Sequence, residues 1–210
     1  MRFDDKTEEK SEASQAELLN ADDVAIMLQG ESNIRAIGLC GDIEEEKIGE
    51  LMGLMLGLRE TGLVTGKDEN LNREPIEFLV STTGGSAHEM FALYDVMRIV
   101  RRDTPIYTVG LGKVMSAGVL LLAGGTKGHR KIGKNCRVMI HGVIGGNAGM
   151  LHNLENEMDE IRQTQEQYIN ALVAETDMTK RLLKKLIERK VNVYLTAEEA
   201  VEYGIADEVI

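Results

Sequence analysis

Apolar positions along this chain recur at two spacings, and the two kinds of segment alternate from about residue 34 onward. Short apolar runs predict strands at residues 35–40, 76–81, 106–110 and 137–140. Apolar side chains at three- and four-residue intervals predict helices at residues 44–59, directly after Gly85, and at 115–123, 148–174 and 179–189. Thr196 and Glu199 form a capping box for a last helix that ends at Gly204. Strand and helix units that alternate in this way predict an α/β domain.

Two parts of the chain break this pattern. Residues 1–30 are polar and rich in Asp and Glu, which predicts a flexible acidic arm ahead of one folded domain at 31–210. Residues 61–73 are rich in glycine, asparagine and charge, which predicts a long surface loop. The 210 residues suit a single domain with a sizeable core.

Composition narrows the classes of partner. The formal net charge is -11 and no basic segment offsets it, so we expect neither nucleic acid nor an anionic membrane as a partner. No apolar run approaches the ~20 residues that cross a bilayer, so we expect neither a membrane span nor a secretory signal. Two isolated cysteines and four histidines without ligand spacing predict a reduced, cytoplasmic protein with no metal site.

Three segments carry residues suited to chemistry. Gly84 and Gly85 fall between a predicted strand and a predicted helix, where paired glycines let a ligand approach the backbone. Ser116 begins a short apolar helix, where unpaired amides stabilise negative charge, although serines there often serve only as helix caps. His141 ends a predicted strand, a position typical of structural histidines, but a serine within reach would make it the natural general base.

Taken together, these segments resemble the Clp protease proteolytic subunit family over about residues 35–210. The similarity rests on Gly84-Gly85 ahead of a helix that contains Tyr94-Asp95, on Ser116 in a turn of small residues, and on an ungapped run from there to His141. The other motifs that carry it are Ala123-Gly124-Gly125-Thr126-Lys127-Gly128, Asn135-Cys136-Arg137-Val138-Met139-Ile140-His141 and Ala200-Val201-Glu202-Tyr203-Gly204. The resemblance implies a serine endopeptidase with a ββα superhelix of the crotonase type.

By this resemblance, Ser116 is the nucleophile, His141 is the general base, and the amides of Gly85 and Ala117 form the oxyanion hole. Unfolded polypeptide would bind as an added strand along the backbone at Ser86, Ala87, Ile144, Gly145 and Gly146. The family also implies that the long helix at 148–174 protrudes as a handle between two stacked heptameric rings, a tetradecamer of this chain. An AAA+ unfoldase of the ClpX/ClpA type would deliver substrate and consume the ATP, so the peptidase itself would need no cofactor.

The third triad position departs from the family. The family's catalytic aspartate precedes a stretch matched here by Tyr194-Leu195-Thr196-Ala197, which puts Asn192 in its place. Asparagine holds an imidazole by hydrogen bonding but supplies no negative charge, and the same change in a well-studied serine protease costs ~10⁴ in turnover. The sequence therefore predicts weak peptidase activity, unless Glu188 supplies the missing charge.

Three other interpretations remain open. Asn192 favours a degenerate ring subunit that serves assembly, gating or partner binding. The crotonase superfamily also contains acyl-CoA hydratases and isomerases, but these use a carboxylate base rather than a serine and a histidine. A Ser/Lys peptidase would use Lys113, and His141 together with the missing membrane anchor disfavours it.

Overall fold

The strands and helices that the apolar pattern predicts are present in the predicted order, together with five short strands that it does not predict. The structure, a computed structural model, describes residues 34–65, 71–146, 148, 150–188 and 192–210. The acidic arm at residues 1–30 lies outside the described residues, so the arm and the domain boundary after it stay predictions. The described strands are β1 (Ala36–Cys40), β2 (Leu63–Thr65), β3 (Leu71–Arg73), β4 (Ile76–Thr82), β5 (Ile106–Met115), β6 (Arg130–Ile132), β7 (Arg137–Ile140), β8 (Val193–Leu195) and β9 (Glu208–Val209). The described helices are α1 (Glu45–Thr61), α2 (Ala87–Val100), α3 (Ala117–Ala123), α4 (Leu151–Glu175), α5 (Lys180–Glu188) and α6 (Ala197–Glu202).

A largely parallel sheet forms the centre of the fold. Strands β1, β4, β5, β6 and β9 lie side by side in that order, and each of these pairings is parallel. A branch leaves the sheet at β5, where β7 pairs in parallel and β8 then pairs antiparallel to β7. Parallel neighbours need crossover connections, and α1 lies between β1 and β4 in the chain as α2 lies between β4 and β5. This arrangement confirms the predicted α/β class.

Strand β5 joins the sheet to its branch. Its first half pairs with β4 and β6, whereas its last three residues, Lys113 to Met115, pair with β7, and β4 follows β5 as far as Val114. Gly112, at a φ of 64°, lets the strand change direction between the two halves. The apolar pattern predicted only residues 106–110 of this strand, because the second half is held by pairing and not by an apolar run of its own.

Helix α3 is the most deeply buried helix among the described residues. All seven of its residues are buried, and it packs against β4, β5, α2 and α4. Leu120, Leu121 and Leu122 have no exposed surface, and burial of each such side chain contributes about 1.5–3 kcal/mol. The turn that connects β5 to α3 is therefore anchored on both sides.

Residues 61–73 are not the loop that their polar composition predicted. Strands β2 and β3 pair antiparallel, with Leu63 opposite Arg73, and form a hairpin whose tip at 66–70 lies outside the described residues. Strands β6, β8 and β9 were also missed. Each has only two or three residues, too few to show a spacing, and each is held by pairing with strands elsewhere in the sequence.

The long helix α4 is exposed along its first half and buried along its second. Its side chains are exposed on nearly every face up to Glu160, and burial begins at Thr164 and continues to Glu175. A protruding helix has this property. In the described part of the chain, no helix combines the length and the apolar character needed to cross a bilayer.

A buried charged cluster fixes the C-terminal end of α4. The Glu175 carboxylate accepts hydrogen bonds from Tyr94 Oη at 2.7 Å and from both terminal nitrogens of Arg101, at 2.5 and 3.0 Å. The backbone carbonyl of Glu175 accepts a further bond from Arg130 at 2.7 Å. Burial alone would raise the pKa of the Glu175 carboxyl, but the hydrogen bonds from Arg101 and Tyr94 outweigh burial and lower that pKa. Glu175 is therefore charged in the folded protein at neutral pH.

We predict that Glu175→Gln destabilises the protein at neutral pH and much less in acid. The substitution leaves Arg101 without its charged partner, and breaking a buried pair in this way costs about 3 kcal/mol. Because the pKa is lowered in the folded state, this stabilisation is present above the ordinary pKa of 4.5 and is lost as the pH falls below it. Chemical denaturation of both proteins at about pH 7 and about pH 3 measures the difference in unfolding free energy.

Asp95→Asn is the matched control. Asp95 pairs with Arg98 on the exposed face of α2, where an ion pair contributes at most about 1 kcal/mol. A loss for Glu175→Gln that is the same at both pH values would contradict the stabilising role of the carboxylate charge.

Candidate active site

Three turns meet at one edge of the sheet. Strands β4, β5 and β7 are parallel with β5 in the middle, so their carboxyl ends lie at the same edge. Gly84 and Gly85 follow β4, Ser116 follows β5, and His141 follows β7. In open α/β sheets, ligands bind in the crevice outside the carboxyl ends of the strands. The fold thus brings together the three segments that the sequence singled out.

Ser116 has a strained backbone. Its φ of 54° and ψ of -122° lie where residues with side chains rarely occur, and among the described residues it is the only non-glycine with a positive φ. Such a conformation costs about 1–3 kcal/mol. The Ser116 N–H donates to the Met139 carbonyl at 2.7 Å, which ties the turn to β7. The Ser116 side chain makes no capping hydrogen bond to α3, so the interpretation of this serine as a helix cap is wrong.

The two glycines after β4 leave space that no other residue would leave. A Cβ on Gly84 would lie 2.6 Å from the Cβ of Ser116 and 3.1 Å from its Oγ. A Cβ on Gly85 would collide with the backbone of Ile43, with which Gly85 forms a parallel bridge. Gly84 therefore makes room for the serine, and Gly85 allows two backbone segments to meet beside it.

Two backbone amides beside Ser116 have no acceptor within the described part of the chain, those of Gly85 and Ala117. The Gly84 carbonyl accepts from Ile43 at 2.8 Å, and the Ser86 N–H donates to Ile43 at 3.0 Å. Because the carbonyl and the N–H of a trans peptide point in opposite directions, the Gly85 N–H points away from Ile43. Both residues line the same cleft as Ser116, so two N–H donors are present in its wall.

The position of Asn192 follows from the register of β8. The last pair between β7 and β8 is Ile140 with Val193, so the next opposed positions are His141 and Asn192. Directly opposed residues on antiparallel strands have Cβ atoms about 5 Å apart. Asn192 is exposed, and neither it nor His141 forms a hydrogen bond with a described residue. The Glu188 side chain lies outside what the structure describes, so its proposed substitute role stays a prediction.

A cleft of about 580 Å³ opens where the three turns meet. Ser116 and His141 line it, and both are half-buried. The other residues that the sequence predicted for the site also line it, namely Gly85, Ser86, Ala87, Ala117, Ile144, Gly145 and Gly146. Asn192 is not among the lining residues. Lys113 is exposed and does not line the cleft either, which contradicts a Ser/Lys pair.

Helix α4 supplies a wall of the cleft that the sequence did not reveal. Five of its residues, spaced at three- and four-residue intervals, face the cleft: Glu157, Glu160, Ile161, Thr164 and Tyr168. The apolar members of this face, Ile161 and Tyr168, belong to the spacing that predicts the helix at 148–174. A helical stripe has the same spacing whether it packs on a core or lines a cleft, so the sequence carries no signal that separates the two.

The cleft carries two exposed carboxylates and a buried phenol. Glu157 and Glu160 are the exposed acids, and among the described residues that line the cleft there is no Lys or Arg. Tyr168 is buried, and burial raises the pKa of its hydroxyl, which therefore remains a hydrogen-bond donor. Within the described residues, no three His, Cys, Asp or Glu side chains group as metal ligands do.

A serine-nucleophile site on an α/β fold has a serine in a strained strand-to-helix turn, a histidine close to it and backbone amide donors. Here the serine follows β5, the histidine follows the neighbouring strand β7, and two amides line the same cleft. The model of the Clp protease family matches residues 22–210, and the chain belongs to that family. It is also 39% identical over 136 residues to the ATP-dependent Clp protease proteolytic subunit 1 of Thermobifida fusca (strain YX). That alignment covers 64% of this chain and 60% of the relative, so the chain spans about three fifths of the length of the relative it matches.

We predict that Gly84→Ala displaces Ser116. The added methyl group would lie 2.6 Å from the Cβ of Ser116, and a contact this short forces one of the two residues to move. The unfolding free energy should fall by about 2–3 kcal/mol, and the rate at which a fluorophosphonate labels Ser116 should fall at least about tenfold. Denaturation curves and labelling followed by mass spectrometry measure both effects.

Gly128→Ala separates the steric clash from backbone strain. Gly128 has a φ of 85°, similar to the 98° of Gly84, but a Cβ there would meet nothing within 4 Å. It should therefore cost only about 1–2 kcal/mol of strain and leave labelling unchanged. Equal loss of labelling in the two variants would argue against the contact with Ser116 as the cause.

Proposed function

We propose that this chain is a serine endopeptidase that cleaves peptide bonds through an acyl-enzyme on Ser116, with His141 as the general base. The strained backbone of Ser116, which holds its side chain in a cleft shared with His141, carries this proposal. Strain of this kind persists only where the surroundings impose it, and it clusters at active sites. Membership of the Clp protease family supports the same chemistry.

In the proposed reaction, the Ser116 oxygen attacks the substrate carbonyl carbon while the His141 imidazole takes the hydroxyl proton. A C–O bond forms, and the carbonyl electron pair moves onto oxygen, where the amides of Gly85 and Ala117 stabilise the charge. His141 returns the proton to the peptide nitrogen as the C–N bond breaks and the amine leaves. Water then attacks the ester by the same route, which releases the carboxylate product and restores Ser116.

Two backbone segments beside the cleft suit an extended substrate. Residues 85–87 and 144–146 both line it, and most of their positions are exposed. An extended peptide adds to segments of this kind through backbone hydrogen bonds, which are common to all sequences. We therefore propose unfolded polypeptide as the substrate class.

Family membership supports further proposals about assembly and setting. We propose that the chain forms heptameric rings that stack as a tetradecamer, with an AAA+ unfoldase of the ClpX/ClpA type as the partner that consumes ATP. The exposed first half of α4 supports a role in assembly, since the exposed large apolar side chains around it are Ile144, Met150, Leu151 and Met158. The proposed reaction needs no cofactor, and the unpaired Cys40 and Cys136 support a cytoplasmic setting.

We further propose that Asn192 keeps the peptidase slow. By the register of β7 and β8 it lies opposite His141, where the family has an aspartate. An asparagine there carries no negative charge, so it does not stabilise the imidazolium that forms when serine loses its proton. The proposed enzyme therefore has a complete nucleophile, base and oxyanion hole, and a weakened third position.

We predict that Ser116→Ala abolishes both fluorophosphonate labelling and cleavage of a short peptide with a C-terminal aminomethylcoumarin group. Removal of the oxygen removes the atom that forms the acyl-enzyme, so both signals should fall to background. Ser86→Ala is the matched control, because Ser86 lines the same cleft but its hydroxyl caps α2, and this variant should still be labelled. A wild-type protein that assembles but resists labelling would point instead to a degenerate subunit without peptidase activity.

We predict that Asn192→Asp raises kcat on the same peptide by at least about tenfold. The carboxylate would stabilise the charged imidazole in the transition state, and the missing charge costs up to ~10⁴ in a related triad. Steady-state kinetics measure the change. Asn153→Asp adds the same charge on the exposed first half of α4 and should leave kcat unchanged. An unchanged or lower rate for Asn192→Asp in a correctly assembled protein would refute the assigned role of Asn192.

A further inference from the structure

The hydroxyl of Tyr168 reaches the turn that carries Ser116. Tyr168 lies on the buried half of α4, is 4% exposed, and donates a hydrogen bond to the Ser116 carbonyl at 2.9 Å. The two residues are 52 positions apart in sequence, so a separate element of the fold contacts this turn.

The Ser116 carbonyl belongs to the same peptide unit as the Ala117 N–H. It accepts two hydrogen bonds, one from the Val119 N–H at 3.0 Å and one from Tyr168. Both lone pairs of the oxygen are therefore used. Because the peptide is planar and trans, the direction of this carbonyl sets the direction of the Ala117 N–H.

The two hydrogen bonds to the Ser116 carbonyl constrain the turn in different ways. Val119 lies only three residues beyond Ser116, so its bond moves with the turn. The Tyr168 bond connects the turn to α4, which also contacts the segment after His141. Gly142 follows His141, and a Cβ on Gly142 would lie 2.9 Å from the side chain of Gln165. Gln165 lies on α4, about one helical turn before Tyr168. Through α4, Tyr168 thus fixes the Ser116 turn relative to the segment that follows His141.

We propose that Tyr168 is a positioning residue whose hydroxyl holds the Ser116–Ala117 peptide with its N–H directed at the oxyanion. Its hydroxyl is bonded to a backbone oxygen and not to a reacting atom, so it acts through the peptide it orients. This inference rests on the proposed function, because it assigns the Ala117 amide to the oxyanion hole. A positioning role predicts a loss in kcat with KM unchanged, whereas a purely structural role predicts only a loss of stability.

Tyr168→Phe tests the proposal, and Tyr94→Phe is the matched control. Each variant removes one hydroxyl from a buried tyrosine, but the Tyr94 hydroxyl bonds Glu175, away from the cleft. The rate of fluorophosphonate labelling, with kcat and KM on the aminomethylcoumarin peptide, is measured for the full chain and again in the Asn192→Asp background. We expect labelling and kcat to fall about tenfold in Tyr168→Phe, the value of about one lost hydrogen bond, with KM within about twofold. Tyr94→Phe should lower the unfolding free energy without changing either rate.

Replacement of Tyr168 by 4-aminophenylalanine restores a donor at the same place and should restore the rate, including where Tyr168→Phe fails to fold. Unchanged labelling and kcat in Tyr168→Phe, equal rate losses in both variants, or no rescue by the amino group would overturn the positioning role. These outcomes leave the proposed function intact as long as Ser116 is labelled in the parent protein. If Ser116 resists labelling even with Asn192→Asp, the proposed function fails and this inference fails with it.

Discussion

The parallel pairing of β5 with β7 brings a serine and a histidine from separate turns into one cleft. Val114 and Val138 face each other in this pairing and are fully buried, so a change of register would expose apolar surface. The hydrogen bond from the Ser116 N–H to Met139 extends the pairing one residue past β5. A slip of one residue would move one side chain about 3.3 Å along the strand and turn it to the other face. The chemistry of the cleft therefore depends on the register of a short pairing between Lys113–Met115 and Arg137–Met139.

The strain at Ser116 is maintained by structure on either side of it. Helix α3, which follows the serine in the chain, is wholly buried, and β5, which precedes it, is paired with β7. Neither end of the turn is therefore able to relax. Burial of a single α3 leucine contributes about as much as the strained conformation costs. Gly84 removes the remaining obstacle, since any side chain there would occupy the space of the serine. The free energy cost of the strained backbone at Ser116 is thus small compared with the stabilisation from the buried elements on either side of it.

The sequence predicted those parts of the fold that are decided locally. Short apolar runs indicated the positions of β1, β4 and β7, and residue types with their flanking motifs indicated Ser116 and His141. Pairing between distant segments decided the rest. Strand β8 has three residues and no pattern of its own, yet its register alone places Asn192 opposite His141. Tyr168 is a buried core residue, as its place on the apolar stripe of the helix indicates, but that stripe carries no sign that its hydroxyl reaches the Ser116 turn.

The charges of the cleft bear on how far it is able to compensate for Asn192. Glu157 and Glu160 line the same cleft as His141 and are the carboxylates among its described lining residues. Both are exposed, however, and a surface charge contributes at most about 1 kcal/mol. The ~10⁴ loss that follows from an asparagine at the third position corresponds to about 5.5 kcal/mol. The exposed glutamates are therefore too weak to replace an aspartate at the third position.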